Sequence, residues 1–188
     1  MGEINYKNDR TRACEVAEGS DGRLNVSSRS DTRSYYISRD EGGAYSVPFD
    51  FQSATAGEFG CYWKNSDTAK TLVIDSIGVN SVEASRVKLW FVTGTAGGGT
   101  SLTPTNLNKM SGNASQSISM EGGSASTGIT GLTTAELIDF IYVPALGHEE
   151  FRLQDRVRLG QNDAIAIEYD EGTTGDLSGV VFGFFEAE

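Results

Sequence analysis

Proline is scarce in this 188-residue chain, with three in all, and so are cysteine, with two, and histidine, with one. Cys14 and Cys61 match neither a CxxC redox pair nor a zinc-ligand spacing, and no disulfide is expected between them. No apolar run approaches the roughly 20 residues of a membrane helix. The opening Met-Gly-Glu-Ile-Asn-Tyr lacks the apolar region of a signal peptide, and Tyr6 stands where a myristoylation pattern wants Ser or Thr. The expectation is a chain made in a reducing cytoplasm, without membrane contact. Basic charge is also in deficit: 15 Lys and Arg against 26 Asp and Glu leave a net charge of −11. That balance argues against general nucleic-acid binding, which needs a basic face to displace counterions. Amphipathic helical periodicity is missing as well, and the helix-prone Thr133-Thr-Ala-Glu-Leu137 supports one turn at most.

What remains is rich in turns and aromatics. The chain has 23 Gly, 9 Phe, 7 Tyr and 2 Trp. Val47, Phe49 and Phe51 alternate with polar residues, as a half-buried strand should. Phe59, Cys61 and Trp63 repeat the alternation and end at the turn-like Lys64-Asn-Ser-Asp67. Leu72–Val79, Val87–Val92, Ser117–Met120, Leu137–Val143, Glu150–Leu153, Ala164–Tyr169 and Val180–Phe185 complete the series. Gly94–Thr100, with three consecutive glycines, reads as a loop without a packing reason for order. So many short strands at this spacing predict an all-β fold, an antiparallel β-sandwich of jelly-roll type, over residues 46–188.

Residues 1–45 carry no sustained period and are expected to form an extended, irregular N-terminal arm. Charge divides the same way. Residues 1–40 hold seven basic and seven acidic side chains, including six of the ten arginines, so the whole negative balance falls on the body. A segment of this composition cannot bury enough surface to fold alone. It either packs on its own domain or is held by neighbouring subunits, and the second is the preferred reading. Arg23, Arg29, Arg33 and Arg39 recur beside Tyr35 and Tyr36. Arg and Tyr anchor interfaces through bidentate pairing and large, stiff contact area, so these six are the candidate partner-binding residues.

The residue types needed for other chemistry are present without the required spacing. His148 sits in Leu146-Gly-His-Glu-Glu150, but there is no Gly-x-Ser-x-Gly elbow to accompany it, and an exposed histidine is expected. Asp170–Asp176 has oxygen ligands around a glycine turn, yet lacks the order and the distal Glu of a calcium loop. Gly97-Gly-Gly99 has no following Gly-Lys-Ser/Thr for a phosphate. Trp63 and Trp90 suit a sugar platform in principle, but their strand positions assign both to the core. No catalytic residue, metal or cofactor is predicted.

Leu102-Thr-Pro-Thr-Asn-Leu-Asn-Lys-Met-Ser-Gly-Asn-Ala114 resembles the PxNLNxxSGN loops of structural proteins of tailed phages. Gly160-Gln-Asn-Asp-Ala-Ile-Ala-Ile and the terminal Val-Phe-Gly-Phe-Phe-Glu186 are similar to the last two strands of viral jelly-roll modules. The resemblance covers roughly residues 85–188 and concerns loops and strand ends. It implies a virion location, assembled in the host cytoplasm, and a non-enzymatic decoration or cement role on the capsid surface. The expected partner is the major capsid protein or another virion protein, bound by a homo-oligomer, expected to be a trimer. A tail, collar or fibre module, or a soluble carbohydrate-binding sandwich, are the alternatives.

Overall fold

The computed structural model describes residues 33–53, 56–122, 128–171 and 175–187, together with the backbone of two short strands at 16–18 and 24–26. The chain divides into two units, Met1–Thr32 and Arg33–Glu188. In the first, β1 (Val16–Glu18) and β2 (Leu24–Val26) pair antiparallel, so the segment expected to be irregular contains a short ladder. The second unit begins ahead of the expected boundary at residue 46. A single α-helical turn, α1 (Arg33–Tyr36), runs into a π-helical turn at Ile37–Glu41. These turns place Ile37, 3% exposed, in an apolar cluster with Ala44, Val73 and Phe184.

The strands that follow are β3 (Ala44–Ser53), β4 (Glu58–Asn65), β5 (Lys70–Ser81), β6 (Ser85–Gly97), β7 (Thr100–Leu102) and β8 (Thr105–Asn106). After them come β9 (Ser117–Glu121), β10 (Thr130–Val143), β11 (Gly147–Leu159), β12 (Ala164–Glu171) and β13 (Gly175–Ala187). They form two sheets, ordered β10-β6-β12-β4-β9-β7 and β11-β5-β13-β3-β8, with every ladder antiparallel. With the short β7, β8 and β9 set aside, each sheet holds four long strands. The chain crosses between sheets at every step except β6 to β10, whose connection carries the three short strands. That is the double Greek-key order of a jelly roll, and it bears out the expected sandwich.

The core follows from strand alternation. Val47, Phe49, Phe51, Trp63, Leu72, Ile74, Leu89, Ile165, Ile167, Tyr169 and Phe185 all point between the sheets. Trp63 is fully buried and donates its Nε1 hydrogen to Ser117 Oγ at 2.8 Å. Its ring lies over Gly183, where a Cβ would stand 3.0 Å from the indole, so the position requires glycine for close approach. Trp90 departs from its expected core role. It faces the other way, with Tyr62, Val92, Ala164 and Ala166, on the outside of the first sheet.

Two further segments differ from expectation for one reason, main-chain pairing. Gly94 and Gly97 are ladder partners of Leu132 and Thr130, so most of the glycine run is strand rather than loop. Thr133–Leu137 lies against Thr93, Val92, Phe91 and Trp90, and this pairing overrides its local helical preference.

Buried polar side chains also join the sheets, Asn65 most extensively. Asn65 ends β4 at 0% exposure, and its Nδ2 donates to the carbonyls of Lys70 (2.8 Å) and Leu159 (2.9 Å) on the opposite sheet. Its Oδ1 accepts the backbone N–H of Asp67 at 2.8 Å. Truncation removes the partner of two carbonyls and one amide, the Leu159 carbonyl among them in a buried site. Asn65→Ala is therefore expected to lower the unfolding free energy by about 3 kcal/mol in urea titration. Asn65→Asp, which turns a carboxylate toward two carbonyl oxygens, is expected to lower it at least as much at neutral pH.

Candidate functional site

The PxNLNxxSGN run builds a corner of the second unit from its asparagines. The two hydrogens of Asn106 Nδ2 are shared among Gly42 O, Ser111 Oγ and Asn113 O, each 2.9 Å away. Asn108 Nδ2 reaches Arg39 O at 3.2 Å, and Asn113 Nδ2 reaches Glu41 O at 3.1 Å. Within the loop, Asn106 Oδ1 accepts from Asn108 N and Asn108 Oδ1 from Met110 N. These are Asx turns, which an asparagine-dense sequence favours. The receiving π-helical turn ends at Gly42, whose φ of 60° is the left-handed cap that glycine adopts most readily.

This clamp holds two apolar side chains out to solvent. Met110 is 97% exposed and Leu107 48%. Beside them is the part of the predicted Arg/Tyr cluster that falls within the described residues. Tyr35 is half exposed, with the Arg39 guanidinium 5.1 Å from its ring centroid, and Arg39 also makes a bidentate pair with Asp40 at 2.8 Å. Tyr36 packs on the Ile37 cluster, so it anchors the corner rather than presenting itself. Arg33 pairs with Glu186, which also receives Arg158 at 2.9 Å. Arg23 and Arg29 lie outside the described residues. Of the six predicted residues, Tyr35 and Arg39 share this surface with Leu107 and Met110.

Two shallow clefts flank the corner. One, of about 230 Å³, lies over the outer face of the second sheet between Tyr35, Asp75, Leu107 and Phe182. The other, of about 700 Å³, runs between Ser38–Gly42 and the Asn loop. Asp75 occupies a register irregularity of β5, and its carboxyl meets that of Asp155, where β11 bulges through left-handed Gln154 and Asp155. Burial pushes the Asp75 carboxyl above the usual range. The charge and hydrogen bond of Asp155 push it further, the Ser34 hydroxyl draws it back, and Glu150 adds to the rise.

No family model matches the chain, and no curated protein matches it.

The other residues considered for chemistry resolve individually. His148 opens β11, is exposed, and its Nδ1 lies 3.0 Å from Asn80 Oδ1. Asp170 is turned onto the outer face of the first sheet, hydrogen-bonded by Lys88 at 2.7 Å and by Arg86, and so away from the Asp170–Asp176 loop. Residues 172–174 of that loop lie outside the described residues. Cys61 is buried in the core, where burial and then the Glu121 charge push its thiol well above the ordinary range and leave it inert. Cys14 lies outside the described residues. Sequence reasoning missed Leu107, Met110 and Asp75. Only the density of Asn and Ser around the first two was a readable signal.

The raised Asp75 carboxyl has a testable sign. The folded state favours its protonated form, so this contribution to stability is present below the ordinary carboxylate range and lost as pH rises through the raised value. Asp75→Asn is expected to have a higher urea midpoint than the parent protein at pH 7. The difference is expected to close as pH falls to about 4, the range where an ordinary Asp protonates.

Proposed function

We propose that this protein is a non-enzymatic virion module that decorates and cements a bacteriophage shell, attaching through its N-terminal arm and through the Asn-clamped corner of the 33–188 unit. The observation that carries the reading is the Asn-clamped corner. Three asparagines fix a loop that exposes Leu107 and Met110 on either side of Lys109, next to an exposed tyrosine with an arginine over its ring. The hydrogen bonds that fix the loop backbone leave the Met110 side chain in solvent, where it adds nothing to the core. A docking surface gains by losing less side-chain and loop entropy on contact. Met, Tyr and Arg are also the residue types enriched at interfaces. The jelly-roll order is shared by capsid and lectin domains, and the clamp is built from the same run that resembles tailed-phage structural proteins. Copies arrayed on a lattice make modest single contacts sufficient, because each bound contact raises the local concentration for the next.

The test is co-migration of the full chain with shell particles in a density gradient. Binding at a fixed ratio to the major shell protein is expected. Removing residues 1–32 is expected to release the protein into the soluble fraction while the 33–188 unit keeps its melting profile. Met110→Glu combined with Leu107→Glu is expected to weaken attachment by tenfold or more without loss of fold. Recovery of the full chain only in the soluble fraction would overturn the reading, and a ratio matching the tail rather than the shell would reassign it.

A further inference from the structure

The outer face of the first sheet presents a second surface, distant in the fold from the Asn-clamped corner and built on three adjacent strands. Register sets its pattern. On β10 the outward residues Leu137, Phe140 and Tyr142 lie opposite Trp90, Lys88 and Arg86 of β6. On the other side of β6, Ala166 and Glu168 of β12 lie opposite Trp90 and Lys88, and Asp170 follows on the same face. The result is an apolar column along the edge, a column with two cations in the middle and a column with two carboxylates inside.

The polar groups of the two inner columns are engaged with one another. Arg86 and Lys88 both bind Asp170, and Glu168 accepts the Trp90 Nε1 hydrogen at 2.6 Å. Lys88 also lies 5.7 Å from the Trp90 ring centroid. Burial would raise the Asp170 carboxyl, but the hydrogen bonds and charges of Lys88 and Arg86 outweigh it and hold the group below the usual range. Arg86 and Lys88 are thus balanced by the two carboxylates of β12. The edge column is the opposite of guarded: Leu137 is 45%, Phe140 48% and Tyr142 60% exposed, and the last two rings meet edge to face at 5.9 Å.

We infer that this face is a binding site for a neutral, polyhydroxylated ligand, a glycan chain lying across β10, β6 and β12. Paired charges select against ionic ligands, since a phosphate or sulfate must compete with Asp170 for both cations. The same pairs hold donors and acceptors in fixed positions for hydroxyl groups, and the aromatic edge supplies apolar area for the C–H faces of sugar rings. A second copy is the less suited occupant. Ladder shifts at three places along β10 disrupt a regular edge for strand addition, and Glu136 and Asp139 would add repulsion between two acidic chains.

Affinity electrophoresis of the full chain through gels containing dextran, yeast mannan or hydroxyethylcellulose, with alginate as the anionic comparison, tests this directly. Retardation by at least one neutral polymer is expected, unchanged by added salt. Tyr142→Ala and Phe140→Ala are expected to weaken it tenfold or more while the fold is kept, because both side chains lie outside the core and are about half exposed or more. Trp90→Phe is expected to weaken it by freeing Glu168 while retaining a ring. Three results would each overturn the assignment: no retardation by any neutral polymer, retardation by alginate alone that salt abolishes, or neutral-polymer binding indifferent to Phe140 and Tyr142. Sedimentation showing self-association that these two substitutions abolish would also overturn it, and would give the face to a second copy.

Discussion

The apolar layer between the two sheets is the constraint on which everything else depends. Its centre is the Trp63 indole seated on Gly183, an arrangement that brings β4 and β13 together across the sandwich. Burying one large aromatic this completely is worth a few kcal/mol, and the surrounding Phe, Ile, Leu and Val side chains multiply that gain. The hydrophobic effect has no direction, however, and does not by itself choose how one sheet lies on the other. Asn65 supplies that choice at one end of the layer. Its amide reaches two carbonyls of the facing sheet, and only one relative placement of the sheets satisfies it.

With inner faces committed to the core, the outer faces are left for other uses, and they differ. The second sheet is partly roofed by the helical turns at Arg33–Glu41, which bury Ile37 against Val73 and Phe184 and create the corner that the Asn loop clamps. The first sheet carries a smaller apolar cluster around Tyr62 and Ala166 that gives way, toward β10, to exposed rings and paired charges. One sheet therefore carries the hydrogen-bonded Asn loop with Leu107 and Met110 exposed, and the other carries exposed rings beside paired charges. Contacts of different chemistry are available on opposite sides of one small fold.

Fold class was legible in the sequence because strand alternation is a local signal. Val47-Pro-Phe-Asp-Phe51 and Ala164-Ile-Ala-Ile167 announce their faces without help from the rest of the chain. Order among the strands was not, since antiparallel ladders between residues far apart leave no local trace. The same limit explains the individual departures. Gly94–Gly97 is ordered by partners at Thr130 and Leu132, Thr133–Leu137 is extended by partners on β6, and Trp90 turns outward although its alternation fits either face. At the candidate site, Tyr35 and Arg39 were visible as residue types suited to interfaces. Asp75 was invisible, because its environment is made by Asp155 and Ser34, brought together only by the bulged β11 and the helical turn. The asparagine run was conspicuous, but its function as a clamp depended on knowing that residues 39–42 lie within reach.

The strand order also governs when the fold can appear. Among the described residues of the 33–188 unit no ladder joins two strands that are neighbours in the chain, and β13 sits in the middle of its sheet with β3 on one side and β5 on the other. A nascent chain thus makes β3 and β5 long before the strand that lies between them, and Trp63 has no Gly183 to rest on until β13 emerges. Such long-range closure is slow compared with hairpin-by-hairpin assembly. The net charge of −11 opposes contact between chains whose strand edges are still open.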